Sequence, residues 1–282
     1  MEKFSIIGYM NRNTKKSGIT IMGLALLGLA ALWPGAAAAE TLRIISPYIG
    51  SLTNKQINSA YNLNLKDTGE LDGIYAQWIN TEKFQVNAFY YGAPNINYSD
   101  VTGLHLNFDY YLKPAKTGKW VAGTGLEDLS INMSAGRKIA GLASFDMDNN
   151  VLFYYLRAGR YFYYKKGQMN VSLLPYAGYA HEKISGEIRM DVLGPSPLRT
   201  IDISESDNHP LGGLNLNTDF AHFLNLQAKW MGRFKDGKSL DEYSLLANIC
   251  LNRHWCLSYR YKHMEYGSSS NTYNLAGLTA CF

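Results

Sequence analysis

Long apolar segments are nearly absent from this sequence of 282 residues. The exception is the uncharged run 19–33, which has 15 residues. A helix that spans a bilayer needs roughly 20 apolar residues, and no second run of helix length follows. The remainder of the chain is therefore not expected to form a helical membrane protein.

The amino-terminal segment has the order of features of an export signal. Its basic residues are Lys3, Arg12, Lys15 and Lys16. The apolar run follows, and residues 37–39 supply an A-x-A cleavage site before Glu40. We predict that residues 1–39 are a cleaved signal peptide and that residues 40–282 are the mature domain. The alternative, an anchor helix, is disfavoured because the apolar run is too short.

Net charge is also nearly absent once this leader is removed. The leader holds four of the 27 basic residues and one of the 23 acidic ones, which leaves 23 basic against 22 acidic residues. That balance indicates no nucleic-acid partner. No spacing of His, Cys and Asp resembles a metal site, and no cofactor is predicted.

Aromatic residues and strand-like alternation are abundant instead. Tyr occurs 21 times, Phe 11 times and Trp 5 times, whereas Pro occurs only 8 times. Polar and apolar residues alternate in most segments after Thr41, most clearly in 84–91, 104–112, 224–231 and 255–262. Period-two alternation indicates strands with one polar and one apolar face.

Twelve strands can be placed along the chain. They start near residues 43, 72, 83, 102, 119, 151, 168, 209, 223, 242, 255 and 273. Short connectors alternate with longer polar ones, at roughly 52–70, 92–100, 134–149, 184–208, 234–241 and 265–271. A periplasmic β-sandwich, the alternative, would not place the long connectors on one side. We therefore predict an all-β fold, an antiparallel transmembrane β-barrel of about 12 strands, with short periplasmic turns and longer extracellular loops.

The last ten residues carry a more specific signal. The chain ends on Phe282, and Ala280, Leu278 and Ala276 precede it at two-residue steps, before Asn274 breaks the series. This segment resembles the final strand of Gram-negative outer-membrane β-barrel proteins, the porin-like class. The resemblance implies residence in the cell outer membrane. It also implies that these positions form the signal read by the barrel-assembly machinery.

The same resemblance implies the partners. They are the barrel-assembly machinery and periplasmic chaperones during biogenesis, and outer-membrane lipid and lipopolysaccharide in the mature state. It implies no particular oligomeric state.

The polar faces of the strands would line the lumen of such a barrel. They carry five basic residues, Arg157, Lys229, Arg233, Arg260 and Lys262. Because rings of basic side chains select anions, we predict a narrow porin-like channel that favours small anions or acidic solutes.

The first alternative is a non-conducting structural or surface-interaction barrel. Interior charges can pair with one another and fill a narrow lumen. The acidic residues that could neutralise the basic set are Asp109, Glu127, Asp128 and Glu265. The segment 184–208 would then be the loop that binds a partner.

The second alternative is an outer-membrane lipid hydrolase, because some barrels of this class use His, Ser and Asn. A polar cluster of suitable types comprises Asn87, His105, Asn107 and Asp109, with Asn87 expected directly across from His105, and Ser130 is on the next strand. However, His105 should face the lumen, and a nucleophile must lie about 2.6–3.2 Å from its base. We therefore predict a polar lumen cluster without a catalytic residue, and expect His181 and His263 to be solvated.

Two local features remain open. Cys250 and Cys256 oppose each other across a short turn, so a disulfide is expected in an oxidising envelope. Free thiols are the alternative, since opposed strand cysteines suit disulfide geometry only at some pair types. Arg160 breaks the alternation, so either a bulge at Gly159 turns it inward or it reaches the headgroups.

Overall fold

The computed structural model describes most of the predicted mature domain. The described residues are 41–58, 63–80, 83–96, 99–112, 118–136, 142–192, 199–221, 223–235, 238–266 and 269–282. The predicted signal peptide, 1–39, lies outside them. A search of the described residues finds no helix long and apolar enough to cross a membrane.

Twelve strands form one closed antiparallel barrel, which confirms the predicted fold and strand count. The strands are β1 (Thr41–Asn58), β2 (Leu63–Asn80), β3 (Phe84–Ile96), β4 (Ser99–Tyr111), β5 (Gly118–Gly136), β6 (Leu142–Lys166), β7 (Met169–Val192), β8 (Arg199–Phe220), β9 (Leu224–Lys235), β10 (Lys238–Cys250), β11 (Trp255–Tyr266) and β12 (Ser269–Cys281). Each strand pairs with its neighbours in sequence, and β1 pairs with β12. Closure removes free sheet edges, as a bilayer requires.

The outer connections are built mainly as continued strand. Most of the segment 184–208 extends the β7–β8 hairpin, with Met190 paired to Arg199, and most of 134–149 extends β5 and β6. These segments lack the alternation of a lipid-facing strand because water bathes their outward face. On this extension the guanidinium of Arg189 lies 2.6 Å from the carboxylate of Glu187 and lowers the pKa of that carboxyl.

The seam of the barrel joins the first strand to the last. Phe282 and Arg43 exchange both backbone hydrogen bonds, at 2.9 and 3.1 Å. The Phe282 side chain is 69% exposed on the outer face, on the same side as Leu278. The two ends of the domain thus meet at the periplasmic end of the wall.

The outward face of the wall forms an apolar band with aromatic side chains near both boundaries. Near the periplasmic turns the exposed rings include Trp120, Phe162, Phe220, Phe223 and Trp255, and towards the outer end they include Tyr154, Tyr179, Phe234 and Tyr243. Large apolar side chains such as Leu156 and Leu257 lie exposed between them. Apolar bands flanked by aromatic girdles are the signature of transmembrane barrels.

Arg160 belongs to this outward face. The register of β6 with β7 is the same on either side of it, so no bulge turns the side chain inward. Its guanidinium lies 5.6 Å from the Trp120 ring and 5.4 Å from the Phe162 ring. The charge is therefore held at the periplasmic girdle by cation–π contacts.

The inward face combines large rings with glycines on the neighbouring strands. A Cβ atom at Gly125 would overlap the Tyr155 ring, and one at Gly213 would overlap the Tyr176 ring. The absence of a side chain lets each ring lie flat across the next strand. The two rings consequently pack against the backbone of the neighbouring strands.

Candidate functional site in the lumen

All five predicted basic residues lie on the inward face, and three of them face carboxylates. Arg157 donates from one nitrogen to both oxygens of Asp109 at 2.8 Å. Arg233 lies 2.5 Å from Glu182. Lys262 lies 3.4 Å from both Glu127 and Glu242. Glu182 and Glu242 were not anticipated, because the sequence pattern assigns a face and not a height.

The Lys262 ion pair with Glu127 crosses the lumen. Lys262 is on β11 and Glu127 is on β5, and these strands are six apart in either direction around the barrel. Glu242, on β10, reaches the same ammonium. Opposite walls are thus joined by one charged cluster, which forms a constriction of the lumen.

His105 extends the constriction on the β4 side. Its Nδ1 lies 3.6 Å from the Glu127 carboxylate, and its Nε2 accepts from the amide nitrogen of Asn107 at 2.5 Å. The Tyr155 hydroxyl donates to the Asn107 oxygen. The expected polar cluster is therefore in the lumen, with one change: Asn87 pairs with Asn107 in the register, and His105 pairs with Phe89.

Two basic residues have no carboxylate at ion-pair distance among the residues that the structure describes. Arg260 instead packs against rings, at 4.2 Å from the Tyr75 centroid and 5.0 Å from that of Phe89. Lys229 points into a lumen cavity of about 60 Å³. The charged residues that line this cavity are Arg157, Lys229, Arg260, Lys262 and Glu242. The cavity wall therefore carries four basic groups and one acidic group.

Two of the acidic residues expected in the lumen are on the outer face. Asp128 accepts a hydrogen bond from Asn150, and Glu265 lies 3.7 Å from His263. Each of these two residues is the sequence neighbour of an inward-facing residue, so strand alternation points its side chain outward. Neither can neutralise the lumen cations through its side chain.

The outward face of β7 and β8 carries a second histidine cluster, which sequence reasoning missed. The Nδ1 of His181 lies 2.7 Å from the Asn208 side-chain oxygen, and its Nε2 lies 3.3 Å from the hydroxyl of Ser206. His181, expected to be solvated, thus has a partner at both ring nitrogens. His181 and Asn208 are equally far from Gly194-Pro195 in the sequence, so their pairing could have been inferred from the turn that this dipeptide predicts.

The cysteines lie at the periplasmic end. Cys250 and Cys256 form a disulfide across the β10–β11 turn, and Cys281 is a free thiol. Within the described part of the chain, no group of three or more His, Cys, Asp or Glu side chains is placed to hold a metal ion.

Comparison with known proteins supports the architecture. No protein-family model matches the chain, and no curated protein sequence matches it. Among solved structures, it is similar to the translocator domain of the autotransporter NalP from Neisseria meningitidis, with 12% identity over 96% of this chain and 98% of that one and a TM-score of 0.56.

Two other solved structures are more distant. They are the transport unit of the autotransporter AIDA-I from Escherichia coli, with 10% identity over 89% of this chain and 93% of that one and a TM-score of 0.44, and the KdgM porin in complex with disordered oligogalacturonate, with 10% identity over 83% and 99% and a TM-score of 0.39. The closed barrel and its apolar outer band define a transmembrane β-barrel, and the first likeness supports that fold.

Proposed function

We propose that this chain is a narrow outer-membrane channel whose lumen favours small anions. The observation that carries the proposal is the cavity beside the constriction, with four basic groups on its wall against the single carboxylate of Glu242. Lys229 and Arg260 supply the uncompensated charge. A confined site with excess positive charge attracts anions and repels cations.

The size of the cavity supports small solutes. A volume of about 60 Å³ is several times the roughly 10–15 Å³ that a cavity needs to hold one water molecule. An inorganic anion or a small carboxylate fits this space. A larger acidic solute would first have to displace the ammonium of Lys262 from Glu127.

Planar-bilayer recording tests the proposal. The purified barrel should give discrete conductance steps, and in a tenfold KCl gradient its reversal potential should have the sign of chloride preference. The double variant Lys229→Gln with Arg260→Gln should move the reversal potential towards cation preference, because the cavity then loses its unpaired charges.

Lys66→Gln is the matched control. Lys66 is exposed on β2 near the outer end, so this variant removes one positive charge without changing the cavity. Its reversal potential should equal that of the unmodified protein. Cation preference in the unmodified protein, or an equal shift in the control, would contradict the proposal.

A second candidate function is a barrel that does not conduct. It is favoured by the Lys262–Glu127 ion pair, which joins opposite walls at 3.4 Å. Absence of conductance steps from a correctly folded barrel would support this function. The extended β7–β8 hairpin would then be the surface for a binding partner, and its deletion should abolish that binding.

A further inference from the structure

Ser206, His181 and Asn208 form a linear hydrogen-bonded array on the outer wall. His181 on β7 pairs directly with Asn208 on β8, and Ser206 is two residues further along β8 on the same face. The two distances, 2.7 Å to Asn208 and 3.3 Å to Ser206, connect hydroxyl, imidazole and amide in that order. A nucleophile beside a base, with the base oriented by a third group, is the arrangement of covalent catalysis.

The amide oxygen determines the tautomer of the imidazole. An amide oxygen can only accept a hydrogen bond, so Nδ1 of His181 carries the proton that is donated to Asn208. The lone pair is then on Nε2, which faces the Ser206 hydroxyl. The neutral ring is thus held in the state that can remove the serine proton.

The array lies at the outer boundary of the apolar band. From Val171, near the periplasmic turn, to His181 is ten residues of β7, or about 33 Å of strand. At the usual strand tilt this rises about 25 Å, the height of a barrel's apolar band. The Tyr154 ring packs 4.8 Å from that of His181, and Tyr179 is exposed one step towards the membrane.

This position selects the substrate. Ser206 and Asn208 are exposed on the outward face of the barrel wall, away from the lumen. An amphiphile in the outer leaflet would place its acyl chains along the apolar band and its ester groups at the level of the array. Lys183 lies directly opposite Ser206 in the register, so a positive charge is available on the strand beside the serine for an anionic headgroup.

We propose that Ser206, His181 and Asn208 form a hydrolytic site for the acyl esters of membrane lipids. The Ser206 oxygen attacks the ester carbonyl carbon while His181 Nε2 takes the hydroxyl proton. The bond from that carbon to the alcohol oxygen then breaks, and the alcohol leaves with the proton from His181. Water attacks the acyl-serine, gives one proton to Nε2 and releases the fatty acid, and the serine oxygen recovers the proton.

The first experiment measures fatty-acid release from vesicles of dioleoyl phosphatidylethanolamine and phosphatidylglycerol that contain the full mature barrel. The unmodified protein should release oleate, and Ser206→Ala should reduce the rate at least about 100-fold, since removal of a nucleophile costs several orders of magnitude. Ser204→Ala is the matched control, because Ser204 is also exposed, two residues along β8. The control should keep the full rate.

The second experiment uses a fluorophosphonate, which reacts with serine hydroxyls that a neighbouring base activates. Mass spectrometry should find the label on Ser206 and not on Ser204, and Asn208→Ala should slow labelling more than Asn208→Asp, which keeps an acceptor for Nδ1. Folding of each variant is checked by heat-modifiable migration in electrophoresis. A soluble ester, p-nitrophenyl butyrate in detergent, separates ester chemistry from lipid presentation.

Each outcome decides the proposal. Oleate release and labelling that both depend on Ser206 establish the site. Hydrolysis of the soluble ester alone would overturn the assignment of a lipid substrate. Absence of labelling and release in a folded barrel would overturn the site itself. The conductance of Ser206→Ala should be unchanged in every case, so this test is independent of the proposed channel.

Discussion

The barrel wall carries two histidine clusters that use the same residue types on opposite faces. Inside, His105 has Asn107 at Nε2 and Glu127 near Nδ1. Outside, His181 has Ser206 at Nε2 and Asn208 at Nδ1. In both rings Nε2 is the acceptor, because an amide nitrogen or a hydroxyl donates to it.

The difference lies in what that acceptor faces. The amide of Asn107 cannot act as a nucleophile. The adjacent ion pair of Glu127 with Lys262 links opposite walls of the lumen, so the inner cluster is structural. The hydroxyl of Ser206 is a nucleophile and is exposed at the membrane boundary. The group at Nε2, an amide inside and a hydroxyl outside, therefore distinguishes the structural His–Asn pair from the one proposed to be catalytic.

The largest expected effect separates the two histidines. His181→Ala should lower oleate release about 1,000-fold or more, because the base and the nucleophile act as one unit. His105→Ala should leave the rate per folded molecule within about twofold, since a lumen residue does not contact the ester. The vesicle assay measures both. Equal losses in the two variants would break the distinction between the clusters.

The next effect concerns stability. Glu127→Gln should lower the free energy of unfolding by about 3 kcal/mol, because Lys262 loses the carboxylate across the lumen. Asp128→Asn, one residue away on the outer face, should change it by less than about 0.5 kcal/mol, as should Ser206→Ala. Guanidinium unfolding of barrels folded in lipid vesicles gives the three values. A large loss in Ser206→Ala would mean that the outer cluster is structural too.

The smallest effect comes from a site remote from both clusters. Cys256→Ser removes the disulfide across the β10–β11 turn, and we expect about 2 kcal/mol less stability because the closed loop is short. Ion selectivity and oleate release should not change. If either does, stability alone affects the assays, and the effects assigned to the two histidine clusters would need to be corrected for it.

Much of the architecture could be predicted, because alternation fixes which face each side chain takes. Twelve strands, the inward position of residues such as Lys229 and Arg260, and the outward position of Phe282 all follow from a period of two. Relative height does not, because it depends on the register between strands. That is why Asn87 was placed one step away from its actual partner and why Glu182 and Glu242 were missed.

The cluster of His181, Ser206 and Asn208 could not be predicted from the sequence for a different reason. Beyond the membrane boundary both faces of a strand can be polar, so the segment 184–208 has the composition of a loop. Ser206 and Asn208 can be assigned to the same face from the sequence, but this requires that the segment be recognised as a strand. The pairing of Asn208 with His181 then follows, because the two residues are equally far from Gly194-Pro195 in the sequence.

The unequal strand lengths give the barrel a slanted rim. β6, β7 and β8 have 25, 24 and 22 residues, whereas β9 has 12. β9 ends about ten residues short of the start of β8 in their register, which is about 30 Å of strand. The slant separates two directions of approach. An ion approaching the lumen from solution would meet the low side of the rim, whereas a lipid diffusing in the membrane plane would meet the base of the high side, where Ser206 is exposed.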